Sequence, residues 1–321
     1  MAWRETRDPY RIWIAEVILQ QTRIAQGEQY FYRFVERFPD VASLAAATQE
    51  EVLKYWEGLG YYSRARNLHA AARHIIDALG GHMPGHYSEW MQLKGIGPYT
   101  ARAIGSFAYG DATGVIDGNV MRVMSRFLGD SSPVDAGTTR KKFQETIDAW
   151  VQGVDSRAFN HGIMDLGSVV CMPTQPACPL CPLVEGCAAR REGAIHLLPH
   201  KQKRNTRKVR YFDFFLVRNA AGEIAVRKRP EKGIWGGLWE IPNLEMPIEV
   251  WQQQRPAWKA GYRGEMKHVF THFDMQIHIY AASDVDVPGN LADQFISTDK
   301  ISIFAFSKAV LKIFEKWLNT D

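Results

Sequence analysis

The sequence predicts a mainly helical N-terminal domain followed by a smaller α+β domain. Apolar residues recur with helical spacing through about the first 190 residues, and all four cysteines of the chain lie between Cys171 and Cys187. After a basic stretch from Arg190 to Arg210 the spacing changes, and Met275–Tyr280 alternates as a strand does. A length of 321 residues is enough for two domains, each with its own core.

Composition restricts the class of protein. The chain is 46% hydrophobic and 23% charged, which is typical of a soluble globular protein. It contains no run of 18 apolar residues, and its N-terminus lacks the apolar core of a signal peptide. We therefore expect an intracellular, monomeric protein without a membrane segment. The net charge of +4 is compatible with a polyanionic partner but does not identify one.

Glu16 is the first candidate for chemistry. Asp8 and Pro9 predict the start of a helix in which Glu16 has apolar neighbours on both sides, and Gln20, Gln21 and Thr22 follow it. A carboxyl group removed from water favours its protonated form, which makes it a general acid at neutral pH. The alternative is a solvent-facing glutamate on an amphipathic helix. Because the helix is apolar nearly all round, the sequence favours the first interpretation.

The stretch from Leu93 to Asn119 combines an anion-binding turn with a carboxylate. Gly95 and Gly97 allow the backbone to approach a ligand closely, and Pro98 suits the first turn of the next helix. Such a turn directs backbone N–H groups at a phosphate. Asp117 follows in a loop of small residues. The alternative is a simple helix corner in which Asp117 caps the next helix.

A glycine turn precedes a third group of candidates. Tyr61 and Arg64 lie in the run Gly58-Leu59-Gly60-Tyr61-Tyr62-Ser63-Arg64. Aromatic side chains on such a turn can wedge between bases while arginines hold phosphates. They can equally be core aromatics beside solvated arginines, which is the commoner outcome.

The four cysteines predict a metal centre. Cys171, Cys178, Cys181 and Cys187 have the spacing C-x6-C-x2-C-x5-C. Zinc sites usually use two separated C-x2-C pairs, whereas only one close pair is present here. Four thiolates with unequal arms suit an iron–sulfur cluster, which the spacing favours over zinc.

The C-terminal half is predicted from a change of composition and period. We predict a helical domain over residues 1–190, a basic linker over 191–209 that either contacts phosphates or is a solvated connector, and an α+β domain over 210–321. Strands are expected at Tyr211–Val217, Glu223–Lys228 and Met275–Tyr280, and a final helix from Ser307 to Leu318.

Taken in order, these motifs resemble the MutY-type adenine DNA glycosylases of the helix-hairpin-helix superfamily. The resemblance covers nearly the whole chain, and its motifs are specific in combination: Glu16–Thr22, Gly58–Arg64, Leu93–Thr100, Val115–Asn119, Met164–Gly167 and the cysteine spacing. It implies a helix-hairpin-helix glycosylase domain with a [4Fe-4S] cluster loop and a Nudix-like C-terminal domain.

The resemblance also implies an activity and roles for individual residues. Adenine mispaired with 8-oxoguanine or guanine in double-stranded DNA would be flipped out and excised. Glu16 would protonate the adenine ring, and Asp117 would stabilise the cationic sugar. Tyr99 and Asn119 match positions that orient these two carboxylates. The positions that match DNA-binding residues of the family are Gln20, Gln21, Thr22, Tyr61, Arg64, Gly95, Gly97, Phe270, Thr271 and His272. Among them, Gly95 and Gly97 are the glycines of the hairpin.

The C-terminal domain resembles the Nudix-like module of that family. Its marks are Arg229–Pro242 and Phe270-Thr271-His272, which matches the loop that reads 8-oxoguanine. A Nudix hydrolase needs an acidic helix for magnesium, whereas residues 243–254 contain only Glu245 and Glu249, so we interpret the domain as a sensor.

Three departures from the family pattern stand out. The chain starts close to Trp3, which relatives reach after an extra helix, so less support for the helical domain is expected. The loop after Cys171 lacks basic residues, which weakens the expectation of a DNA contact there. Thr271 replaces a common Ser and keeps the hydroxyl group.

Two rival functions differ in specific residues. An endonuclease III-like glycosylase/lyase carries a lysine nucleophile in the hairpin, where this sequence has Tyr99. A non-catalytic DNA-damage binding protein would have no need of both Glu16 and Asp117. The sequence therefore favours a glycosylase that leaves an abasic site.

Overall fold

The computed structural model describes residues 1–202, 207–253, 261–283 and 292–318. The chain divides into two compact units that do not follow chain order. The first unit comprises residues 1–45 and 70–204, and the second comprises residues 46–69 and 205–321. Residues 46–69, which the sequence places inside the helical domain, therefore group with the C-terminal part of the chain.

Helices dominate the described part of the chain before residue 200. Their bounds are α1 Pro9–Leu19, α2 Ile24–Arg37, α3 Val41–Ala46, α4 Gln49–Tyr55, α5 Ser63–Leu79, α6 Tyr87–Trp90, α7 Pro98–Ile104, α8 Gly118–Leu128, α9 Gly137–Trp150, α10 Ser156–Asp165 and α11 Ala188–Arg191. Helices α7 and α10 each continue into a π-helical turn, at Gly105–Tyr109 and Leu166–Val170. Short 3-10 turns lie at Ala2–Arg4, Cys178–Leu180 and Ile195–Leu197.

Side-chain caps fix where several of these helices begin. Asp8 accepts a hydrogen bond from the Tyr10 N–H ahead of Pro9, which is the first residue of α1. Thr48 caps α4 in the same way through the Glu51 N–H. Each such cap satisfies a backbone donor that the helix cannot satisfy itself, and typically contributes about 1 kcal/mol.

Two aromatic and aliphatic clusters stabilise the first unit. Trp13 and Trp90 are fully buried and their rings lie 5.8 Å apart, which packs α1 against α6. Helices α8, α9 and α10 share a second cluster, centred on Met124, Phe143 and Ile147. Burying such side chains contributes about 1.5–3 kcal/mol each, so the helices that carry the candidate site residues are firmly held.

In the described part of the second unit, a seven-stranded sheet forms the centre. Its strands are β1 Lys208–Arg218, β2 Ile224–Lys228, β3 Trp239–Glu240, β4 Asn243–Met246, β5 Tyr262–Val269, β6 Phe273–Ser283 and β7 Gln294–Ile296. The order is β3-β2-β1-β6-β5, with β4 paired to β1 and β7 paired to β2. Strands β1 and β6 are parallel, and the other named pairs are antiparallel.

Alternation along the strands gives the sheet an apolar face that a helix covers. Phe212, Phe214 and Leu216 of β1 lie in one cluster with Ile277 and Ile279 of β6. The final helix, α13 at Lys308–Trp317, buries Val310, Ile313, Phe314 and Trp317 in the same cluster, while α12 at Ile248–Gln253 follows β4. The predicted combination of a helical and an α+β domain is confirmed.

The two ends of the predicted linker differ in their contacts. His200 accepts a backbone hydrogen bond from Val134, and the Gln202 N–H donates to Asp135. Lys208 and Arg210 already belong to β1. Lys203 and Arg204, which contribute to the basic run, lie outside the described residues. In the described ranges, no helix is both long and apolar enough to span a bilayer.

Candidate active site

All four predicted catalytic residues line one cavity of the first unit. The cavity has a volume of about 210 Å³, and its walls include Glu16 from α1, Tyr99 from α7, and Asp117 and Asn119 from the start of α8. In the chain, the six helices α2 to α7 lie between Glu16 and Asp117. Tertiary packing therefore brings the two residues into one cavity, and local sequence patterns do not predict that they meet.

Glu16 has the properties of a general acid. Its side chain is buried and only 8% exposed, which rules out the solvent-facing alternative. Burial raises its pKa from 4.5 to about 7. A hydrogen bond from Tyr99 and the charge of Arg4 oppose this rise in the pKa, while the charge of Asp117 adds to it. A substantial fraction of Glu16 is therefore protonated at neutral pH.

Tyr99 is held as a hydrogen-bond donor. Tyr99 is the second residue of α7, and its hydroxyl donates a hydrogen bond to the carboxyl group of Glu16. Burial, followed by the charges of Glu16 and Asp117, raises the pKa of the Tyr99 hydroxyl well above 10. The phenol thus stays protonated over the working range and can orient Glu16.

Asp117 both caps a helix and faces the cavity. One carboxylate oxygen accepts from the Val120 N–H at 2.7 Å, and the other accepts from the Asn119 amide at 3.0 Å. The two alternatives that the sequence left open are thus compatible. The N-terminus of α8 and the Asn119 amide hold a carboxylate in one orientation, which is the arrangement that electrostatic stabilisation of a cation requires.

Arg122 connects Asn119 to the backbone at Gly167 and Cys171. Its guanidinium donates to the Asn119 side-chain oxygen at 2.9 Å, to the Gly167 carbonyl at 2.6 Å and to the Cys171 carbonyl at 2.7 Å. The side chain is 8% exposed, so these bonds lie away from solvent. Sequence reasoning missed Arg122. The i+3 spacing from Asn119 on a helix was the one signal that could have found it.

A polar wall of the cavity was also missed. Arg4 forms an ion pair with Asp165 at 2.7 Å, and His161 lies one helical turn before Asp165 on α10. Arg157 donates to the backbone carbonyls of Thr6 and Phe107, which fixes the chain around this wall. Arg4 and Asp165 are 161 positions apart in the sequence, and only Asp165 lies within a motif that the sequence analysis identified, Met164–Gly167.

The helix-hairpin-helix turn has the expected geometry. Gly95 has φ +84°, where a side chain is strained, and Gly97 precedes Pro98 at the start of α7. The Gln20 amide donates to the Thr100 hydroxyl at 3.2 Å, which joins the end of α1 to α7. Gln21 is exposed with φ +58°, and Thr22 lines the cavity of Glu16.

The four cysteines line a second, small cavity of the first unit. All are free thiols and all are partly buried. Burial raises the pKa of Cys181, and the charges of the other three cysteines raise it further, because the four groups lie near one another. Arg126 contacts the sulfur of Cys171 at 3.4 Å. Among the described residues no three side chains have a ready coordination geometry, but the donor set suits a four-thiolate centre.

The remaining predicted DNA-binding residues meet in the second unit. Tyr61, Phe270, Thr271 and His272 line a cavity of about 550 Å³ that also includes Trp235. The Tyr61 and Thr271 hydroxyls are hydrogen-bonded to each other. Thr271 and His272 are exposed at the turn between β5 and β6, which the bond from the Phe270 N–H to the Phe273 carbonyl closes.

Arg64 contacts its own glycine turn. Its guanidinium approaches the carbonyl of Gly60 at 3.3 Å and lies over the ring of Trp56. Burial lowers its pKa to about 10. Arg64 therefore stabilises the glycine turn that precedes Tyr61.

Comparisons with known proteins identify relatives of both parts of the chain. Residues 14–149 match the family described as HhH-GPD superfamily base excision DNA repair protein, and residues 213–316 match the NUDIX domain. The chain is similar to a solved thermostable thymine-DNA glycosylase, with 29% identity, a TM-score of 0.56, and coverage of 60% of this chain and 88% of that one. A solved endonuclease III–DNA covalent intermediate gives 26% identity, a TM-score of 0.52, and coverage of 59% and 87%.

Curated relatives decide the family. The adenine DNA glycosylase of Buchnera aphidicola subsp. Schizaphis graminum is 31% identical over 282 residues, which cover 86% of this chain and 81% of that protein. The chain belongs to the adenine DNA glycosylase family. The mouse adenine DNA glycosylase is 29% identical over 371 residues, covering 97% of this chain and 72% of the relative. Both the helical and the Nudix-like parts of this adenine DNA glycosylase family member therefore have counterparts among known proteins.

Proposed function

We propose that this chain is a DNA N-glycosylase that removes adenine mispaired with 8-oxoguanine or guanine and leaves an abasic site. The observation that carries the proposal is the pairing, in one cavity, of Glu16, whose pKa is raised to about 7, with a fixed carboxylate at Asp117. A pure binding protein has no need of an acid and a carboxylate held in this way.

The two carboxyl groups have complementary tasks. Glu16 donates a proton to the adenine ring, so that the base departs neutral. The departing base leaves positive charge on the sugar, and the Asp117 carboxylate stabilises that charge because Val120 and Asn119 already fix its orientation. Tyr99 positions Glu16 through its hydrogen bond. Water then completes the hydrolysis of the glycosidic bond.

Access to the adenine requires base flipping. A cavity of about 210 Å³ cannot receive a base that is still stacked inside the duplex, so the nucleotide must rotate out. The turn at Gly95 and Gly97, followed by the N-terminus of α7, suits a phosphate of the same strand. Gln20, Gln21 and Thr22 lie at the end of α1 and are proposed to contact the DNA beside the flipped nucleotide.

We assign a [4Fe-4S] cluster to Cys171, Cys178, Cys181 and Cys187. Their four thiols line one cavity, and Arg126 places a positive charge beside the sulfur of Cys171. When bound, the cluster supplies iron–thiolate bonds that tie residues 171–187 together. The Cys171 carbonyl accepts a hydrogen bond from Arg122, so an ordered loop also holds Asn119 in place.

Recognition of the opposite strand is assigned to the second unit. Phe270, Thr271 and His272 form the exposed turn between β5 and β6, next to Tyr61. Residues 243–253 carry two acidic residues, of which Glu245 is ion-paired with Arg210, so a magnesium-dependent Nudix hydrolysis is not supported. We therefore propose a sensor that reads 8-oxoguanine through the Thr271 hydroxyl.

A strand-cleavage assay tests the proposal. Duplexes that contain adenine opposite 8-oxoguanine or guanine are incubated with the protein, and half of each sample is treated with alkali. Cleavage only after alkali is expected, because Tyr99 stands where a lyase needs a lysine. Intact strands after alkali would refute glycosylase activity. Strand cleavage without alkali, with efficient borohydride trapping, would instead support the endonuclease III-like alternative.

A further inference from the structure

The last helix of the second unit carries a row of lysines on its solvent side. Lys308, Lys312 and Lys316 of α13 are exposed and follow one another at intervals of four residues. Side chains at this spacing lie above one another on one face of a helix. The row rises about 12 Å along the helix axis, at about 1.5 Å per residue. The opposite side of α13 packs on the sheet through Ile313 and Phe314, so the lysine row faces away from the core.

Helix stability does not account for the lysine row. Like charges four residues apart repel each other, and Lys308 is the first residue of α13, where the helix dipole disfavours a positive charge. Glu315 is the one acidic residue of α13. The ammonium group of Lys316 lies 4.5 Å from the centre of the Trp317 ring. In the described part of the chain, the lysines that form ion pairs are others, namely Lys54, Lys141, Lys142, Lys228 and Lys267.

The lysine row begins near the exposed turn between β5 and β6. At the far end of α13, the Trp317 ring N–H donates to the Arg263 carbonyl at the start of β5, at 3.0 Å. Near the other end of β5, burial and then the charges of Lys312 and Lys308 lower the pKa of His268, so the beginning of α13 lies close to that residue. His268 also lines the cavity beside the turn. Helix α13 therefore runs antiparallel to β5, and the lysine row leads away from the turn.

We propose that the lysine row of α13 binds the phosphate backbone of duplex DNA beside the nucleotide that the turn between β5 and β6 reads. This inference rests on the proposed function and extends the DNA-binding surface of the second unit beyond that turn. Phosphates of one strand recur about every 3.4 Å along the duplex axis, so a row of about 12 Å spans roughly three to four of them. Lysine ammonium groups bind phosphates as point charges, and phosphate contacts carry no sequence information. The row therefore contributes affinity and holds the duplex in register at the turn.

The test measures how DNA binding depends on salt. The variants are Lys308→Gln, Lys312→Gln, Lys316→Gln and the combination of all three, because glutamine removes the charge and keeps a good helix former. Binding constants are measured at several salt concentrations for a duplex with adenine opposite 8-oxoguanine and for the same duplex with only matched base pairs. The matched control is Lys141→Gln, which removes an exposed lysine of α9 that already faces Glu145 at 3.9 Å.

The expected result is a weaker dependence of binding on salt. Each lost phosphate contact removes about 0.9 from the slope of log K against log salt concentration, so the slope of the triple variant should be less steep by about 2 to 3. At low salt the triple variant should bind both duplexes about tenfold or more weakly, by the same factor for each. Lys141→Gln should keep the wild-type slope. The triple variant should unfold at no lower a temperature than the wild type, because it loses only repulsion within α13.

Three outcomes would overturn the inference, and a fourth concerns the proposed function alone. An unchanged slope in the triple variant would show that the row does not contact phosphates. An equal effect per charge in Lys141→Gln would assign the loss to net charge. A loss confined to the 8-oxoguanine duplex would assign the lysines to lesion reading in place of phosphate binding. Failure of the wild-type protein to release adenine, with lysine-dependent binding intact, would instead refute the proposed function.

Discussion

At the scale of single residues, the character of Glu16 follows from its neighbours. The run of apolar residues around it in the sequence predicted a desolvated carboxyl group, and the structure buries it. Its partners could not be predicted in the same way. The hydrogen bond from Tyr99 and the charges of Arg4 and Asp117 come from segments far apart in the chain, and no local pattern encodes their meeting.

The pH dependence of excision tests the role of Glu16. Because the acid must be protonated, the single-turnover rate should fall as the pH rises through about 7. Tyr99→Phe removes a hydrogen bond that lowers the pKa of Glu16, so this decline should move to higher pH. The control is Tyr109→Phe, which breaks a bond to the Pro84 carbonyl instead. A decline that does not move in Tyr99→Phe would contradict the assignment.

The same ionisation affects stability. The pKa of Glu16 is higher in the folded protein than its ordinary value of 4.5, so the folded state binds the proton more tightly. This protonation contributes about 3 kcal/mol to the free energy of unfolding. The contribution is fully present below pH 4.5 and is lost as the pH rises through about 7. Denaturant unfolding at several pH values should show this loss, and Glu16→Gln should remove it. An equal pH dependence in the Gln variant would refute it.

At the scale of elements, the helices were more predictable than their contacts. Asp8 and Pro9 predicted the start of α1, and the final helix predicted from Ser307 to Leu318 is observed at Lys308–Trp317. The π-helical turns at Gly105–Tyr109 and Leu166–Val170 were not predicted from the sequence. Their extra residue per turn redirects Phe107 and Ser168 to the pocket wall, and sequence spacing alone does not distinguish this geometry.

The cysteine segment gives the prediction for metal content. Protein prepared without oxygen should be brown and contain about four iron and four sulfide per chain, because four thiolates suit a cubane cluster. Cys181→Ser should lower the iron content, and Ser168→Ala, outside the cysteine cavity, serves as its control for metal content. Stoichiometric zinc in place of iron would contradict the cluster assignment.

At the scale of the whole molecule, the division into units was the least predictable feature. Residues 46–69 group with the C-terminal part of the chain through long-range bonds. Lys54 donates to the Phe304 carbonyl at 2.9 Å, Glu57 accepts from the Phe306 N–H at 2.8 Å, and the Tyr62 hydroxyl donates to the Phe306 carbonyl at 3.3 Å. Partners some 250 positions apart leave no trace in local composition, so chain order suggested a single helical domain.

This division affects how lesion recognition is tested. A protein cut after Arg190 would lose the partners of residues 46–69, so point variants are the cleaner choice. Phe270→Ala combined with Thr271→Ala should lower the binding preference for 8-oxoguanine over guanine, by about tenfold or more if each lost contact is worth 1–3 kcal/mol. The ratio of the two binding constants is measured at one salt concentration. The exposed Ile303, which does not line that cavity, provides the control Ile303→Ala. An unchanged ratio would place lesion sensing elsewhere.

The most direct measurement of the central claim is single-turnover release of adenine from a guanine:adenine duplex by the wild-type protein and by Asp117→Asn. The amide keeps the size of the side chain and can still cap α8 through its oxygen, but it removes the charge that stabilises the cationic sugar. The account predicts that Asp117→Asn binds the duplex as the wild type does and releases adenine at least about a hundredfold more slowly, as loss of an electrostatic catalytic group typically does. Release by Asp117→Asn at the wild-type rate would contradict it.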